Sequence, residues 1–224
     1  MFGKKRKQAK EAAQQEATAG KELEVAAAEE TEQDLDSKAA PEDRATAGPY
    51  DVTEVPAIRP YVDLGSIKVA PREGLGLRLD VNETNGEIIA VSLDLAESTL
   101  QVQAFAAQKT KGIWHTTRAE LLSTLLEAGA PVTEEDGTFG KELKITDPEG
   151  EKNMRFIAVD GPRWMLRGVI VGAAAGNNPA ANEAIEGLFR ELVVVRGEAP
   201  MAPGDMLPMR VPAALQGGET PEGE

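Results

Sequence analysis

The residues able to do chemistry in this chain are few. It has 224 residues, no cysteine and a single histidine, His115. The absence of thiols excludes disulfides, thiolate catalysis, iron–sulfur clusters and cysteine-ligated zinc. One imidazole excludes every site that needs two, and it leaves a Ser-His-Asp triad a single candidate base. Because no nucleophile motif surrounds His115, an ordinary loop or capping histidine is favoured over a residue of a partner site. We therefore predict no catalytic residue, no metal site and no cofactor.

Arg163 and Arg167 are the clearest candidates for binding a charged ligand. They are four residues apart on a predicted strand, so their side chains share one face. Two interpretations are open, because the arginines can pair with acids of the chain or receive an acidic ligand. Pairing within the chain is favoured, since the body of the chain holds more acids than bases. If this face is exposed, the predicted partner surface consists of Arg163, Trp164, Arg167 and His115.

A run of small residues, Gly172 to Gly176, comes shortly before a predicted helix with Asn178 as its N-cap. Backbone N–H groups at a helix N-terminus attract anions, so this is a candidate anion site. Glycines in a turn are the favoured interpretation, because the Gly-Lys-Ser/Thr of a phosphate loop is missing. The acidic stretch Glu134 to Gly137 lacks the alternating ligands of a calcium loop and is predicted to be a solvated turn.

Charge is distributed unevenly along the chain, whose formal net charge is −14. A basic head near the start contains Lys4, Lys5, Arg6 and Lys7. It can attract anionic lipid or nucleic-acid phosphates weakly and in a salt-sensitive way, and an inert solubilising terminus is an equal alternative. The rest of the chain is acidic and disfavours polyanions.

The basic head has the charge of a signal-peptide start, but no apolar stretch follows it. The longest small or apolar stretch, Gly168 to Gly176, is too short to cross a bilayer. We therefore predict a soluble, cytoplasmic protein.

Alternating hydrophobic residues predict strands through most of the chain between Tyr50 and Pro212. The predicted strands are residues 75–81, 87–94, 99–107, 139–146, 153–159, 163–171 and 192–195. One helix is expected from a Thr117-x-x-Glu120 capping box to Gly129, and another from Asn178. Short connections favour antiparallel pairing and an α+β fold. We predict a mostly antiparallel sheet with two main helices, with a βββα-βββα-β duplication as one alternative.

The predicted organisation has three parts. Residues 1–48, a basic head followed by an acidic linker, are too polar to form a core and are predicted to be disordered. Residues 49–212 form a single α+β domain, in which the stretch from Gly197 to Pro212 lies extended over the body. Residues 213–224 form a disordered polar tail.

Three stretches resemble a known family. They are Asp160-Gly161-Pro162-Arg163-Trp164, the run from Val193 through Val194-Val195-Arg196-Gly197, and Leu207-Pro208-Met209-Arg210-Val211-Pro212. Together they are similar to an actinobacterial domain-of-unknown-function family over roughly residues 48 to 212. The resemblance implies no assigned activity, cofactor or catalytic residue. It also implies genes that tend to lie near those for a dUTPase and a small oligonucleotide/oligosaccharide-binding-fold protein.

We expect a non-enzymatic protein-interaction or scaffold protein, because the chain contains no cofactor motif, metal cluster or assembled catalytic set. Its expected partner is another protein. A nucleic-acid-associated accessory factor is the alternative, motivated by the basic head, by Arg163 and Arg167, and by the gene neighbourhood. An enzyme acting on nucleotides or other small molecules is less favoured.

Overall fold

A computed structural model describes residues 36–55, 59–147 and 152–212. The predicted basic head, most of the predicted linker and the predicted C-terminal tail lie outside these residues. No helix of the described residues is both long and apolar enough to cross a membrane.

The described residues form three α-helices and eleven strands. The helices are α1 (Arg44–Ala47), α2 (Trp114–Glu127) and α3 (Pro179–Arg190). The first strands are β1 (Tyr50–Asp51), β2 (Val62–Asp63), β3 (Ile67–Val69), β4 (Gly76–Val81), β5 (Ile88–Leu95) and β6 (Ser98–Ala106). The remaining strands are β7 (Val132–Gly137), β8 (Gly140–Ile145), β9 (Met154–Asp160), β10 (Trp164–Gly172) and β11 (Val193–Val194). The predicted α+β class with two main helices is confirmed.

Seven strands form a large antiparallel sheet in the order β4-β5-β6-β10-β9-β8-β7. Two meanders, β4 to β6 and β7 to β10, meet where β6 pairs with β10. The second meander has one strand more than predicted, so the order from β4 onward is βββα-ββββα-β. The extra strand is β7, which includes the stretch predicted as a solvated turn. That prediction is wrong, because the stretch pairs with β8 as a strand. Val132 lies opposite Ile145 and packs towards α2, whereas the acids at positions 134–136 remain exposed.

The two long helices begin for different reasons. Helix α3 begins as predicted, since the Asn178 side chain accepts a hydrogen bond from the Ala181 N–H and Pro179 is the first helical residue. Helix α2 begins at Trp114, before the predicted capping box, and its N-cap residue makes no side-chain capping bond. The carboxylate of Asp160, distant in sequence, accepts from the backbone N–H of Trp114 and of the residue before it. The predicted capping box is therefore wrong.

Both faces of the large sheet carry apolar layers. One face packs against α3, a 3₁₀ turn at Ala173–Ala175 and a small four-stranded sheet in the order β1-β11-β3-β2. The other face packs against α2, where Trp114 lies in a cluster with Leu143, Phe156 and Met165. Successive side chains of a strand point to opposite faces of the sheet, so the neighbours Ile157 and Phe156 belong to different apolar layers.

The ordered body begins earlier than predicted. Ala39 makes two hydrogen bonds with Asp160: its carbonyl accepts from the Asp160 backbone N–H, and its own N–H donates to the Asp160 carboxylate. The Lys38 ammonium donates to the Pro162 carbonyl at 2.9 Å, and Arg44 forms a 2.6 Å ion pair with Glu54. The predicted disorder is therefore wrong for residues 37–48, because these contacts to the core satisfy the segment's polar groups.

The stretch near the end of the described chain lies extended over the body, as predicted. The Ala106 N–H donates to the Asp205 carbonyl, and the Leu207 N–H donates to the Ala104 carbonyl. Leu207 is fully buried in the core. Pairing between β5 and β6 stops at Val102, and this stretch lies along β6 beyond that residue, with Met206 opposite Phe105.

Candidate partner surface

The face of the large sheet that carries α2 has an apolar half, which the helix covers, and a polar half. Helix α2 packs over β7, β8 and β9, where the inward side chains are apolar. The half formed by β4, β5 and β6 carries no helix in the part of the chain that the structure describes, and its side chains are polar. We call this half, with the adjoining residue of β10, the open sheet face. It comprises Arg78, Asp80, Ser92, Asp94, Thr99, Gln101, Gln103 and Arg167.

Strand register brings these residues together. Arg78 lies opposite Ser92, which lies opposite Gln101. Arg167 lies opposite Gln103 on one side and Ala158 on the other. Directly opposite residues of antiparallel strands point to the same face, so Arg78, Ser92 and Gln101 form a polar row across β4, β5 and β6. Gln103 and Arg167 form a polar pair across β6 and β10 on the same face.

Two groups of charges on the open sheet face are satisfied internally. Arg78 makes two hydrogen bonds to the Asp94 carboxylate, at 2.9 and 3.0 Å, and Thr99 donates to the same carboxylate at 2.6 Å. The bond from Thr99 and then the Arg78 guanidinium lower the pKa of Asp94. Asp80 accepts from Ser92 and Gln101 at 2.7 and 2.8 Å.

Arg167 differs from these neighbours. Its guanidinium donates to the Gln103 side chain and lies 5.1 Å from the centre of the Phe105 ring. Its Nε is buried without a hydrogen-bond partner, and no carboxylate of the described residues forms an ion pair with it. Burial lowers its pKa. The favoured expectation of pairing with acids of the chain is therefore wrong for Arg167, because register places an amide and an alanine beside it.

The other predicted surface residues lie elsewhere. Strand β10 begins at Trp164, so Arg163 is an exposed residue of the preceding turn and does not share a strand with Arg167. Trp164 is fully buried, and its indole N–H donates to Asp51 at 2.8 Å. Including Trp164 in a partner surface is therefore wrong, because its ring fills the core. A Cβ at Gly161 would overlap that ring, which accounts for the glycine in this motif.

His115 is the second residue of α2 and lies away from the open sheet face. Its Nε2 is 3.3 Å from the Ser37 hydroxyl and its Nδ1 is 3.4 Å from the Arg118 guanidinium. Asp160, close by, was not singled out from the sequence, although it opens the Asp-Gly-Pro-Arg-Trp stretch. Burial raises the pKa of its carboxyl, against the hydrogen bonds from Ile113, Ala39 and the N–H at the start of α2.

A second group missed from the sequence surrounds Arg155, which is buried with Glu142. Arg155 makes two 2.9 Å bonds to Glu142, one of 2.8 Å to Glu186, and bonds to Asn182 and the Ala174 carbonyl. These bonds occupy all five guanidinium donors. The sequence signal was weak, since the acids lie 13 and 31 residues from the arginine.

The candidate anion site borders this group. The start of α3 and the Arg155 cluster line one polar cavity of about 410 Å³. The Asn178 side chain is already used to cap the helix, and Glu142, Glu186 and Asp136 face the cavity. These carboxylates disfavour an anion there, which supports the turn interpretation of the glycine run. Among the described residues, no group of three or more His, Cys, Asp or Glu side chains could hold a metal ion.

Comparison with known proteins gives one match. No curated protein and no solved structure matches the chain. A family model described as a protein of unknown function, DUF3710, matches residues 48–217, well over half of the chain. The chain therefore belongs to the DUF3710 family.

Proposed function

We propose that this chain is a non-enzymatic, cytoplasmic protein-interaction protein whose body binds a partner protein through the open sheet face. The observation that carries the proposal is the state of Arg167. It is a half-buried cation on β10, where the helix-free half of the sheet meets the half that α2 covers, and it lacks an acid partner among the described residues.

A carboxylate from a partner would complete the coordination of Arg167. Arginine and carboxylate form charge-assisted hydrogen bonds that are stronger than neutral ones. Burying an arginine is costly when its donors remain unused, so an added acceptor has a large effect at this position. The other charges of the face already have hydrogen-bond partners on it, which makes Arg167 the position where an incoming acid gains most.

Two apolar side chains beside Arg167 define the rest of the expected ligand. Phe105 lies under the guanidinium, and Met206 lies opposite Phe105 on the neighbouring extended stretch. Both are half-buried. A partner segment with an acidic residue next to an apolar one therefore fits the face better than an acidic run alone. Aromatic residues, methionine and arginine are the types enriched in protein interfaces.

The charge of the face favours protein over nucleic acid. Arg78 and Arg167 are balanced by Asp80 and Asp94 on the same face, so the face offers no excess of positive charge. Affinity for a phosphate backbone comes mainly from such an excess.

The proposal is tested by affinity capture with the full chain from actinobacterial cells, the source that the family resemblance favours. Wild type is compared with Arg167→Gln, which removes the cation but retains hydrogen bonding, and with Arg163→Gln as the matched surface control. We expect specific partners to be lost with Arg167→Gln and retained with Arg163→Gln. Equal recovery of the same partners by all three proteins would contradict the proposal.

A further inference from the structure

The two edges of the large sheet differ in their ability to accept another strand. In the part of the chain that the structure describes, β4 and β7 each have one edge without a paired strand. Such an edge presents free backbone N–H and C=O groups to a second chain. Three of the four exposed residues of β7 are acids, namely Glu134, Glu135 and Asp136. Antiparallel pairing of two β7 strands centred on either glutamate places acids opposite acids, so this edge opposes self-association.

Strand β4 is self-complementary. Its central residues are Arg78, Leu79 and Asp80. When two copies pair antiparallel with Leu79 opposite Leu79 of the second copy, Arg78 of each lies opposite Asp80 of the other. Leu77 of each copy then lies opposite Val81. Neighbouring registers, centred on Arg78 or Asp80, would place like charges opposite each other, which is destabilising.

We propose that the partner of the β4 edge is a second copy of this chain, paired antiparallel about Leu79 so that the two seven-stranded sheets become continuous. This inference goes beyond the proposed function and does not rest on it.

The backbone of β4 is suited to this pairing. The pairing of β4 with β5 contains one irregularity, because Asp80 pairs with Ala90 but Val81 pairs with Ile88. The unpaired extra residue is therefore Ile89, which belongs to β5. Strand β4 therefore keeps regular alternation along its length. Backbone hydrogen bonds and side-chain pairs then extend over the same register.

Two side chains of β4, Arg78 and Val81, are exposed, as expected for residues that a second copy would cover. Val81 is 52% exposed, and among the large hydrophobic side chains of the described residues only Leu126 is more exposed. In the proposed register it is covered by Leu77 of the second copy. The Arg78 side chain is 63% exposed despite its bond to Asp94, so it can also reach an acid of the second copy.

Pairing through β4 has a geometric consequence for the open sheet face. Opposite residues of an antiparallel pair point to the same side, so the open faces of both copies lie on one side of the joined sheet. Seven strand spacings separate the β10 strands of the two copies, which is roughly 34 Å at the usual spacing of neighbouring strands. The dimer would therefore present two Arg167 positions on one surface.

Sedimentation velocity of the full chain over a range of concentrations tests the dimer. We expect a concentration-dependent dimer for wild type and for Thr133→Lys, which places a lysine on the β7 edge. Val81→Lys, which places the same residue at an exposed position on β4, should be monomeric under the same conditions. A wild-type chain that remains monomeric at all concentrations, or a dimer unaffected by Val81→Lys, would overturn the proposal.

The register is tested by charge reversal. Arg78→Glu places two acid pairs at the interface and should raise the dissociation constant about tenfold or more. Arg78→Glu combined with Asp80→Lys restores opposite charges in the proposed register and should recover dimerisation. Circular dichroism establishes that each variant is folded. If folded Arg78→Glu dimerises as wild type does, or the double variant fails to recover, the register is wrong.

Discussion

At the scale of single residues, two arginines of the large sheet differ in their partners. The Arg155 guanidinium has every donor bonded within the chain. Arg167 is the contrast, because its Nε is buried without a partner and no acid lies beside it in the described residues. A buried cation whose donors are all hydrogen-bonded within the chain stabilises the fold. A cation with an unused donor on a face that no helix covers is a candidate for binding a ligand.

The Arg155 cluster should contribute strongly to stability. Arg155→Ala leaves Glu142 buried without its cation and should lower the free energy of unfolding by about 3–5 kcal/mol. The control is Arg72→Ala, which removes a partly exposed ion pair with Glu191 and should cost about 1 kcal/mol or less. Urea unfolding of both variants measures the difference. Similar losses for the two variants would show that the buried cluster has no special structural role.

Asp160 should give a characteristic dependence of stability on pH. Burial raises the pKa of its carboxyl in the folded state, so the folded protein holds this proton more tightly than the unfolded chain does. Its contribution to the free energy of unfolding is therefore largest below the unfolded pKa of Asp, falls as pH rises towards the raised folded pKa, and is constant above it. The amide of Asp160→Asn cannot titrate, so this variant should lack the pH-dependent contribution of Asp160 to the free energy of unfolding.

Urea unfolding at a series of pH values gives the free energy of unfolding of wild type and of Asp160→Asn. The difference between the two at each pH measures the contribution of the Asp160 carboxyl. We expect the stability of wild type relative to the variant to decrease as pH rises from the ordinary pKa of an aspartate to the raised pKa of folded Asp160, and to stay constant above it. A relative stability that increases with pH would mean that hydrogen bonds to the carboxylate outweigh its burial.

At the scale of secondary structure, the two long helices illustrate local and tertiary control of a helix start. Helix α3 begins with its own cap at Asn178, so its start was predicted from the sequence. Helix α2 is capped by Asp160, which is 46 residues from Trp114. No local pattern could reveal that contact. Strand β7 was missed for a related reason, since a mostly acidic stretch becomes a strand only by pairing with β8.

The caps lead to opposite expectations for two similar substitutions. Asn178→Ala removes a capping bond and should lower the free energy of unfolding by about 1 kcal/mol. Thr117→Ala removes no cap, because Thr117 lies within α2, and it should leave stability unchanged or slightly higher. Thermal or urea unfolding distinguishes them. A larger loss for Thr117→Ala than for Asn178→Ala would contradict the assigned helix starts.

At the scale of the whole molecule, the sequence was sufficient for the α+β class, both long helices and every strand of the two meanders except β7. Alternation of apolar residues predicts strands, and it also shows which side chains share a face. It does not show how strands from the two halves pair. The pairing of β6 with β10 places Gln103 beside Arg167, and helix packing decides which half of the sheet remains open. The open sheet face therefore depends on contacts that span the chain, and could not be predicted residue by residue.

The central claim is that a partner protein binds at the open sheet face through Arg167, and in-cell photo-cross-linking tests it most directly. A photoreactive amino acid replaces Gln101, which lies on the open sheet face, or Leu126, an exposed residue of α2. We expect a discrete partner adduct from position 101, its loss when Arg167→Gln is added, and no such adduct from position 126. An adduct at position 101 that is unchanged by Arg167→Gln, or the same adduct from position 126 alone, would contradict the claim.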